Sequence, residues 1–440
     1  MIAALSSVSD PAAVTASKFD GATNVLLRDC LQAALVVDKQ CGGGFWRKAS
    51  YSLFPNSPMN HPGNAKKSRE QVGRAVRAWF TLPEAGRWPG VPCVLCGRAA
   101  VGFFGKMDVA LAESESYRNS TPPGHEGMSL CWPCLICFRA YPYGCRLTGG
   151  PSSVVHSWDE SFLAETVRRQ VDRTAKVITI AGEAERPDEL AEVIVVEALK
   201  SYRGRIRAGV ELMVVNNNNR GQLLRTRVLD QPLAEWLRRR SRHPAFGVLE
   251  QAQASSTVSG QVGLARTVFA RPPRLVTRCV SPLLRSVIDG EEQRDRALGL
   301  IELLRFFVVE VMLMKDKDLA EIDATARKIA SKLKAEDTGG KLRAFRSAVS
   351  EPRKLRRLLS AEAVVWAIDP WESSDEPFIS RAALTLLFDP DPDNSAWFHR
   401  EYLLIGVLAE LKRFGWVSKR PEQDKEGLDT ELADDELEVS

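Results

Sequence analysis

Two short stretches, Cys93-Val-Leu-Cys96-Gly97 and Cys131-Trp-Pro-Cys134, decide how the N-terminal half of this chain can fold. Each is a CxxC pair, and two such pairs supply the four soft thiolates that a tetrahedral zinc ion requires. Gly97 suits the positive-φ turn that follows a ligand pair. Because four protein ligands leave no coordination position open, the spacing predicts a structural zinc held by Cys93, Cys96, Cys131 and Cys134.

The cysteines outside these two pairs leave one alternative ligand open. Six of the nine cysteines lie within residues 93–150, a stretch with few of the long apolar runs that build a core. Cys137 forms a further CxxC with Cys134, and Cys145 lies nearby, so Cys137 could replace one of the predicted ligands. The remaining cysteines are expected to be core or surface thiols: Cys30, Cys41 and Cys279.

Charge is distributed unevenly along the chain. The 440 residues carry a formal net charge of +4, but residues 421–440 hold nine acidic residues and one lysine, which gives them −8. Residues 1–420 therefore carry +12. A basic body with an acidic tail is typical of a protein that binds a polyanion, and the tail itself is predicted to be disordered.

Composition and hydropathy predict a soluble, cytoplasmic protein without a membrane partner. Hydrophobic residues make up 44% of the chain, which is enough for a large core. The most apolar run, Leu303 to Met314, is too short for a membrane helix and contains Arg305 and Glu310. No basic residue precedes Lys18 and no compact apolar segment follows such a residue, so no secretory signal is expected. In the reducing cytoplasm, cysteines are not expected to form disulfides.

Local patterns predict an α+β fold, with a mixed N-terminal region that contains a zinc-binding insert and an all-α C-terminal helical bundle. Apolar residues at helical spacing, such as Ala297, Leu300 and Leu304, dominate from Glu291 onward. Five segments are predicted: an N-terminal α+β region (1–92), a zinc-binding module (93–150), an α+β region that contacts nucleic acid (151–285), the helical bundle (286–420) and the acidic disordered tail (421–440).

Individual elements are predicted from periodicity and from turn residues. Helices are predicted over residues 20–40, 69–79, 159–174 and 187–201, and after Pro232. Residues 209–215 and 222–229 are predicted to be paired strands, and residues 176–180 alternate like a short strand. Residues 245–285 are weakly patterned, whereas Leu303 to Met314 is predicted to be one continuous apolar helix.

The motifs of several enzyme classes are incomplete. Pro133-Cys134-Leu-Ile-Cys137 matches half of a nucleobase-deaminase signature, but the H-x-E half is missing, since His125 and Glu126 are adjacent. The five histidines are scattered singly, so no H-E-x-x-H metal centre can form. Gly42-Gly43-Gly44 lacks the Lys-Ser/Thr of a phosphate loop, and no G-x-S-x-G motif is present. The sequence therefore predicts that the protein is not an enzyme.

Two basic runs are candidate nucleic-acid surfaces. Between Arg203 and Arg242 there are ten arginines, no lysine and three acidic residues. Arginine grips phosphate with two hydrogen bonds and also stacks on bases, although such runs equally form ordinary solvated surfaces. A second run, residues 327–357, holds eleven basic and three acidic residues. The predicted nucleic-acid-binding residues of the two runs are Arg238, Arg239, Arg240, Arg353, Lys354, Arg356 and Arg357.

Amide side chains form the other candidate surface. Residues 216–222 read Asn-Asn-Asn-Asn-Arg-Gly-Gln between two predicted strands, and residues 50–64 are rich in asparagine and proline. Asparagine tolerates the left-handed backbone of a tight loop, but amides on a rigid loop also suit contacts with base edges. The predicted base-contacting residues are Asn56, Asn60, Asn216, Asn217, Asn218, Asn219, Arg220 and Gln222.

The order of these motifs resembles the large, signature subunit of type I CRISPR Cascade complexes, in the branch with a CxxC…CxxC zinc element. The matching pieces are Phe19-Asp20-Gly21-Ala22, Leu53-Phe54-Pro55-Asn56-Ser57, the two cysteine pairs, residues 215–222 and the helical C-terminal third. The resemblance implies a non-catalytic, DNA- and RNA-binding subunit of a crRNA-guided antiviral complex. There it would recognise the motif beside the target (PAM recognition) and hold the displaced strand of the R-loop.

The resemblance also implies the partners. These are crRNA, double-stranded target DNA, and the backbone and guide-end-capping subunits of Cascade. A helicase–nuclease or transposition factors would be recruited later. Related complexes also carry a small helical subunit, which this gene could supply by internal translation from Met312 or Met314.

Two other classes of protein compete with this interpretation. A stand-alone zinc-ribbon regulator or adaptor would bind DNA through a compact recognition helix, but no helix-turn-helix or zipper pattern is present. A zinc-dependent nuclease or deaminase would need histidine and carboxylate pairs that the sequence lacks.

Overall fold

The computed structural model describes residues 1–35, 50–110, 112, 127–147, 151–179, 191–217, 222–289, 294–368, 376–391 and 395–428. The chain divides into two compact units, Met1–Glu235 and Trp236–Ser440. The predicted α+β fold is confirmed, because the N-terminal unit contains two small sheets and the assigned elements of the C-terminal unit are all helices.

The N-terminal unit combines helices with two antiparallel sheets. It begins with α1 (Ile2–Leu5), α2 (Ala16–Leu35) and α3 (Arg69–Trp79). Strands β1 (Gly102–Phe104) and β2 (Met128–Leu130) pair with each other and lead into α4 (Trp132–Arg139). The second sheet has the order β3 (Arg146–Leu147), β4 (Ser152–Ser157), β5 (Val210–Asn216) and β6 (Leu223–Leu229). Helices α5 (Glu160–Thr179) and α6 (Ala191–Ser201) connect β4 to β5.

Helix α3 shows how local sequence sets an element. The Ser68 side chain accepts a hydrogen bond from the Gln71 N–H, and the Gln71 side chain accepts one from the Ser68 N–H. This capping box satisfies two backbone donors that a helix start otherwise leaves unpaired. Val72 and Val76 are buried four residues apart, and α3 packs against α2. The predicted helix over residues 69–79 is therefore confirmed.

The predicted strand pair is also confirmed. Strands β5 and β6 pair antiparallel, with Val210 opposite Leu229 and Asn216 opposite Leu223. On its other edge β5 pairs with β4. Asn217 and Gln222 therefore flank this pair of strands at the end of the sheet where β5 ends and β6 begins.

The C-terminal unit is built around one buried helix. Its helices are the end of α7 (Gln231–Arg240), α8 (Phe246–Ala252), α9 (Gly260–Ala270), α10 (Arg274–Asp289), α11 (Arg294–Glu310), α12 (Asp316–Lys334), α13 (Gly340–Ser350), α14 (Pro352–Ile368), α15 (Arg381–Phe388) and α16 (Ala396–Arg413). From Tyr402 to Lys412 α16 is buried on all sides, and it packs against α10, α11, α12, α13 and α15. Gly406 permits the approach to α12, since a Cβ there would lie 2.9 Å from the Cβ of Ala326.

The expectation for residues 176–180 was wrong. Residues 176–179 are the last turn of α5, which runs beyond the predicted helix end at 174, and residue 180 lies outside the described ranges. The alternating apolar residues continue the preceding helix instead of forming a strand, because extending a formed helix by one residue costs far less than nucleating one. The predicted helix over 187–201 is confirmed from residue 191, and that over 20–40 is found at Ala16–Leu35, with residues 36–40 not described.

Residues 245–285 are far more regular than their sequence suggests. They form α8, α9 and most of α10, and the division of the chain at Glu235 assigns them to the C-terminal unit. A Cβ on Gly263 of α9 would lie 1.9 Å from the Gln253 carbonyl oxygen, so this helix packs through a glycine. Close packing through small residues does not produce an apolar stripe in α9. α10 does carry such a stripe, since Leu275, Cys279 and Leu283 are all buried, so this helix could have been predicted. The finer division of the N-terminal unit into three segments stays a prediction.

Two helix boundaries near charged segments also differ from expectation. α11 ends at Glu310 instead of continuing to Met314, because Leu313 has a positive φ of 55° and the chain turns into α12. Residues 421–428, part of the predicted disordered tail, are helical. Asp424 is buried there, accepts a hydrogen bond from the Gly339 N–H at 2.7 Å and pairs with Arg343. Residues 429–440 lie outside the described ranges.

None of the helices in the described ranges combines the length and apolar character needed to cross a membrane.

Candidate metal centre and nucleic-acid surfaces

The four predicted ligand cysteines come together in the N-terminal unit. The Sγ atoms of Cys93, Cys96, Cys131 and Cys134 all lie within 4.8 Å of one another. The Cys96 Sγ is 3.5 Å from that of Cys131 and 3.7 Å from that of Cys134. Sulfurs bound tetrahedrally at about 2.3 Å would be about 3.8 Å apart, so both the donors and their spacing fit a metal ion. Cys137 is exposed and lies outside this cluster.

The first ligand pair is held in a tight turn. The Cys93 N–H donates to the Arg98 carbonyl at 2.7 Å, and the Gly97 N–H donates to the Cys93 carbonyl at 2.9 Å. Gly97 has a φ of +73°, and no atom lies within 4 Å of the position its Cβ would occupy. Glycine is therefore required at this position because of its positive φ, as the sequence predicted, and not because of close packing.

The second ligand pair lies at a strand-to-helix junction. Cys131 follows β2 and is the N-cap of α4, with Pro133 in the first turn. Hydrogen bonds from Val94 N–H to Ser129 and from Val101 N–H to Leu130 hold the first turn beside this junction. The positive end of the α4 dipole therefore faces a cluster of potential thiolates and favours their charged form.

Backbone donors and burial act in opposite directions on the cysteine pKa values. Burial opposes a thiolate at Cys93, but N–H groups of Cys131, Leu95 and Cys96 donate to its sulfur and lower its pKa to about 6. Burial, and then the neighbouring thiols of Cys131 and Cys96, raise the pKa of Cys134. One thiolate therefore forms readily, whereas forming all four requires a cation to offset their mutual repulsion.

A very small apolar core surrounds the cluster. Its buried members are Cys93, Val109, Leu130, Cys131 and Leu135. A core of this size buries too little apolar surface to stabilise an independent module. Metal binding supplies folding free energy in such modules, so the small core is consistent with a structural ion.

The other end of α4 is anchored by Arg139, a residue that the sequence did not single out. Its guanidinium carbon lies 4.6 Å from the Trp79 ring centroid and 5.5 Å from that of Phe80, and one nitrogen is 3.0 Å from Asp108. Burial lowers the pKa of Arg139 to about 10, against the opposing effect of Asp108. The first turn of α4 therefore contributes to the cysteine cluster, and its last residue packs on the end of α3.

Asn217, one of the predicted amide residues, binds within the N-terminal unit. Asn217 is fully buried, its N–H donates to the Ser52 carbonyl at 2.6 Å, and its side chain donates to the Leu53 carbonyl at 3.1 Å. Its Oδ1 accepts a hydrogen bond from Gln222 at 2.8 Å, and Gln222 itself is exposed. Asn216 is the half-buried last residue of β5. Asn218, Asn219 and Arg220 lie outside the described residues.

The residues predicted in the 50–64 segment also bind within the chain. The Asn60 side chain is buried and donates to the Phe54 carbonyl at 2.9 Å. Asn56 is half-buried, with a positive φ of 62° that fits the turn role of asparagine. Through Ser52 and Leu53, the structure thus joins this segment to the β5–β6 turn. Sequence patterns identify both segments but not the hydrogen bonds between them.

The two sets of predicted basic residues differ in their surroundings. Arg240 is only 12% exposed, pairs with Glu310 and lies over the Phe306 ring, while Arg239 is 3.6 Å from the same carboxylate. Arg238 is buried. Arg238 and Arg240 are therefore engaged within the C-terminal unit, whereas the Arg239 side chain is 60% exposed. The sequence could not show this difference because Glu310 is distant along the chain.

The basic residues of α14 are presented to solvent. Arg353, Arg356 and Arg357 are exposed, whereas Leu355 and Leu359 on the same helix are buried. Lys354 is also exposed and pairs with Glu351. The three arginines form no ion pair with any described residue. They are therefore predicted phosphate-binding groups that are both exposed and without an ion-pair partner in the described ranges.

No protein-family model matches this chain, and no curated protein or solved structure matches it either. The cysteine cluster and the exposed basic helix are therefore the features from which function is inferred.

Proposed function

We propose that this chain is a non-catalytic, zinc-stabilised, nucleic-acid-binding large subunit of a crRNA-guided type I CRISPR surveillance complex. The observation that carries the proposal is the closed four-cysteine cluster, in a chain that also presents exposed arginines on α14. The order of sequence motifs supports the specific complex, and the geometry supports the more general binding role.

The cluster supports zinc as the metal and a structural role for it. Four thiolates in a tetrahedral arrangement are typical ligands of zinc, and a site with four protein ligands leaves no position for a water or a substrate. Cys93, Cys96, Cys131 and Cys134 would hold the ion and so join the 93–98 turn to the start of α4. The metal would thus stabilise the module and take no part in a reaction.

Co-purification tests the proposed function as a whole. Expressed with the proteins encoded beside it and a repeat-derived RNA, the chain should co-purify with crRNA. The assembly should bind duplex targets only when the correct short motif flanks them. If the isolated chain instead binds one specific duplex without RNA, it is a stand-alone DNA-binding regulator and the proposal is wrong.

Neutralising the exposed face of α14 should weaken binding to nucleic acid of every sequence. For Arg353→Ala, Arg356→Ala and Arg357→Ala combined, we expect about tenfold lower affinity and a salt-dependence slope reduced by about 2 to 3, because three phosphates are no longer neutralised. Binding at several salt concentrations measures both quantities. The folding midpoint should not change, because surface substitutions away from special features cost little.

Two further variants separate this effect from a general reduction of positive charge. The combination Arg266→Ala, Arg271→Ala and Arg274→Ala removes three exposed arginines outside both basic runs and should affect binding much less. Arg240→Ala should mainly lower stability, because Glu310 is then left without its closest partner. Equal reductions of affinity in both triple variants would refute a specific role for α14.

We expect the same gene to supply the small helical subunit. Met312 and Met314 lie in the turn between α11 and α12, so a start at either residue would leave α12 to α16 intact. Mass spectrometry of the complex expressed from its native gene should find a fragment that begins there. The fragment should disappear when both methionines are replaced with leucine. Full activity of that double variant, with no fragment in the parent complex, would exclude the internal start.

A further inference from the structure

Trp158 is the most exposed of the large apolar side chains in the described residues. It is 79% exposed and follows directly after β4. Single exposed apolar residues are common and carry no meaning on their own. An exposed indole indicates a binding site when the backbone that carries it is fixed and when neighbouring side chains can bind the same ligand. Both conditions are met at Trp158.

The backbone on both sides of Trp158 is fixed. The Ser157 hydroxyl donates to the Gly209 carbonyl at 2.8 Å and accepts from the Asp159 N–H at 3.1 Å. Asp159 also caps α5 by accepting from the Phe162 N–H at 3.1 Å. The His156 ring packs edge-on against the Trp158 indole, with the two ring centroids 5.1 Å apart. Trp158 is therefore held between a strand and a helix start and gives up little conformational freedom when it binds.

Two exposed arginines, Arg205 and Arg207, lie in a segment beside Trp158. Ile206 between them is buried, donates its N–H to Glu235 at 2.9 Å and accepts from Gln231 at 2.7 Å. The Arg207 N–H donates to Asp159 at 2.8 Å, which places residues 205–207 next to the Trp158 segment.

Two exposed arginines near the indole are available to an anionic ligand. Neither Arg205 nor Arg207 forms an ion pair with a described residue. The carboxylates of Asp159 and Glu235 accept backbone hydrogen bonds, and Glu211 binds His156 at 2.9 Å. Glu160 is the exposed acid adjacent to this segment. These carboxylates keep their charge, so an anion would be bound by the two exposed guanidinium groups beside an accessible aromatic face and not by a net positive charge.

We infer that Trp158, Arg205 and Arg207 form a binding site for single-stranded nucleic acid. An unstacked base would lie on the indole face, and the arginines would bind the flanking phosphates. Tryptophan and arginine also anchor protein interfaces, so a protein contact is the alternative that the experiment must distinguish. Two guanidinium groups without an ion-pair partner among the described residues favour a polyanion that also offers aromatic faces. The inference rests on the proposed nucleic-acid-binding function and names its ligand class.

A fluorescein-labelled oligo(dT) and the full chain test the site directly. Trp158→Ala should weaken oligo(dT) binding by about 5- to 100-fold, the range expected when one stacked base is removed. Trp158→Phe should retain most of the affinity because it keeps an aromatic face. Binding to duplex DNA of the same length should stay unchanged in both variants, since paired bases are not available to the indole.

An abasic oligonucleotide distinguishes stacking from a general effect on the surface. On this probe Trp158→Ala should have no effect, while the combination of Arg205→Ala and Arg207→Ala should still weaken binding. That arginine variant should also lower the salt slope by about 0.7 for each phosphate that is no longer neutralised. Trp397→Ala, which removes another exposed tryptophan (45%), is the matched control and should bind like the parent.

The possible failures separate this inference from the proposed function. If the parent chain binds oligo(dT) and Trp158→Ala binds equally well, the site is refuted while the proposed function stands. If Trp158→Ala instead releases a protein subunit with oligo(dT) binding unchanged, the indole is a protein contact and the inference is overturned. If neither the chain nor its complex retains any nucleic acid, the proposed function itself fails.

Discussion

Replacing Cys93 and Cys96 with serine should reduce bound zinc from about one ion per chain to nearly none and unfold the region around α4. A serine hydroxyl is a hard, protonated group that cannot replace a zinc-bound thiolate. Structural zinc contributes about 10–16 kcal/mol of apparent binding free energy in small modules, far more than the five-residue core around the cluster can replace. We therefore expect reduced solubility or failure to assemble into a complex.

Elemental analysis of the purified protein measures the metal, and limited proteolysis measures the unfolding. Cys137→Ser is the matched control, because Cys137 belongs to a CxxC but is exposed and lies outside the cluster. It should retain zinc and protease resistance. Zinc depletion in the Cys137 variant would show that the ligand set is wrong, and a parent protein with far less than one zinc per chain would refute the metal site.

Replacing Arg139 with alanine should lower the free energy of unfolding of the N-terminal unit by about 3 kcal/mol, because it removes one partner of a buried ion pair. Asp108 would be deprived of the guanidinium that lies 3.0 Å away, and the space over the Trp79 and Phe80 rings would empty. Arg139→Lys should recover only part of this stability, since an ammonium cannot stack on the rings as a planar guanidinium does.

Denaturant titration followed by tryptophan fluorescence measures this effect. Arg169→Ala serves as the control, because Arg169 forms a partly exposed pair with Glu165 on α5 and should change stability by less than about 1 kcal/mol. Folded Arg139→Ala protein should still bind about one zinc, which separates removal of this anchor from removal of the metal. A stability equal to that of the parent would show that α4 does not depend on Arg139.

The features that the sequence determined by itself are those made by residues close together in the chain. Each CxxC spacing identified its own pair of ligand cysteines, and the positive φ of Gly97 follows from its place after the first pair. Bringing the two pairs together depends on the tertiary structure, since Cys96 and Cys131 are 35 residues apart. The capping box of α3 depends on Ser68 and Gln71 alone. Short loops leave few ways to arrange such groups, so local patterns determine them.

Tertiary structure decided every feature that depends on distant partners. Arg239 and Arg240 pair with Glu310, and Asn217 binds the backbone of Ser52 and Leu53. The sequence alone therefore does not distinguish a basic or amide side chain that binds within the protein from one that is available to nucleic acid.

The same reason explains the elements that sequence patterns missed. Helices α8 and α9 and the helical residues 421–428 are stabilised by packing and by buried contacts such as that of Asp424 with Gly339, not by strong local patterns. α10 is different, because its buried residues recur at helical spacing and could have been recognised in the sequence. Most of the stability of a helix in a protein comes from the surface against which it packs. Which of the arginines and amides remain accessible was therefore decided only when the chain had folded.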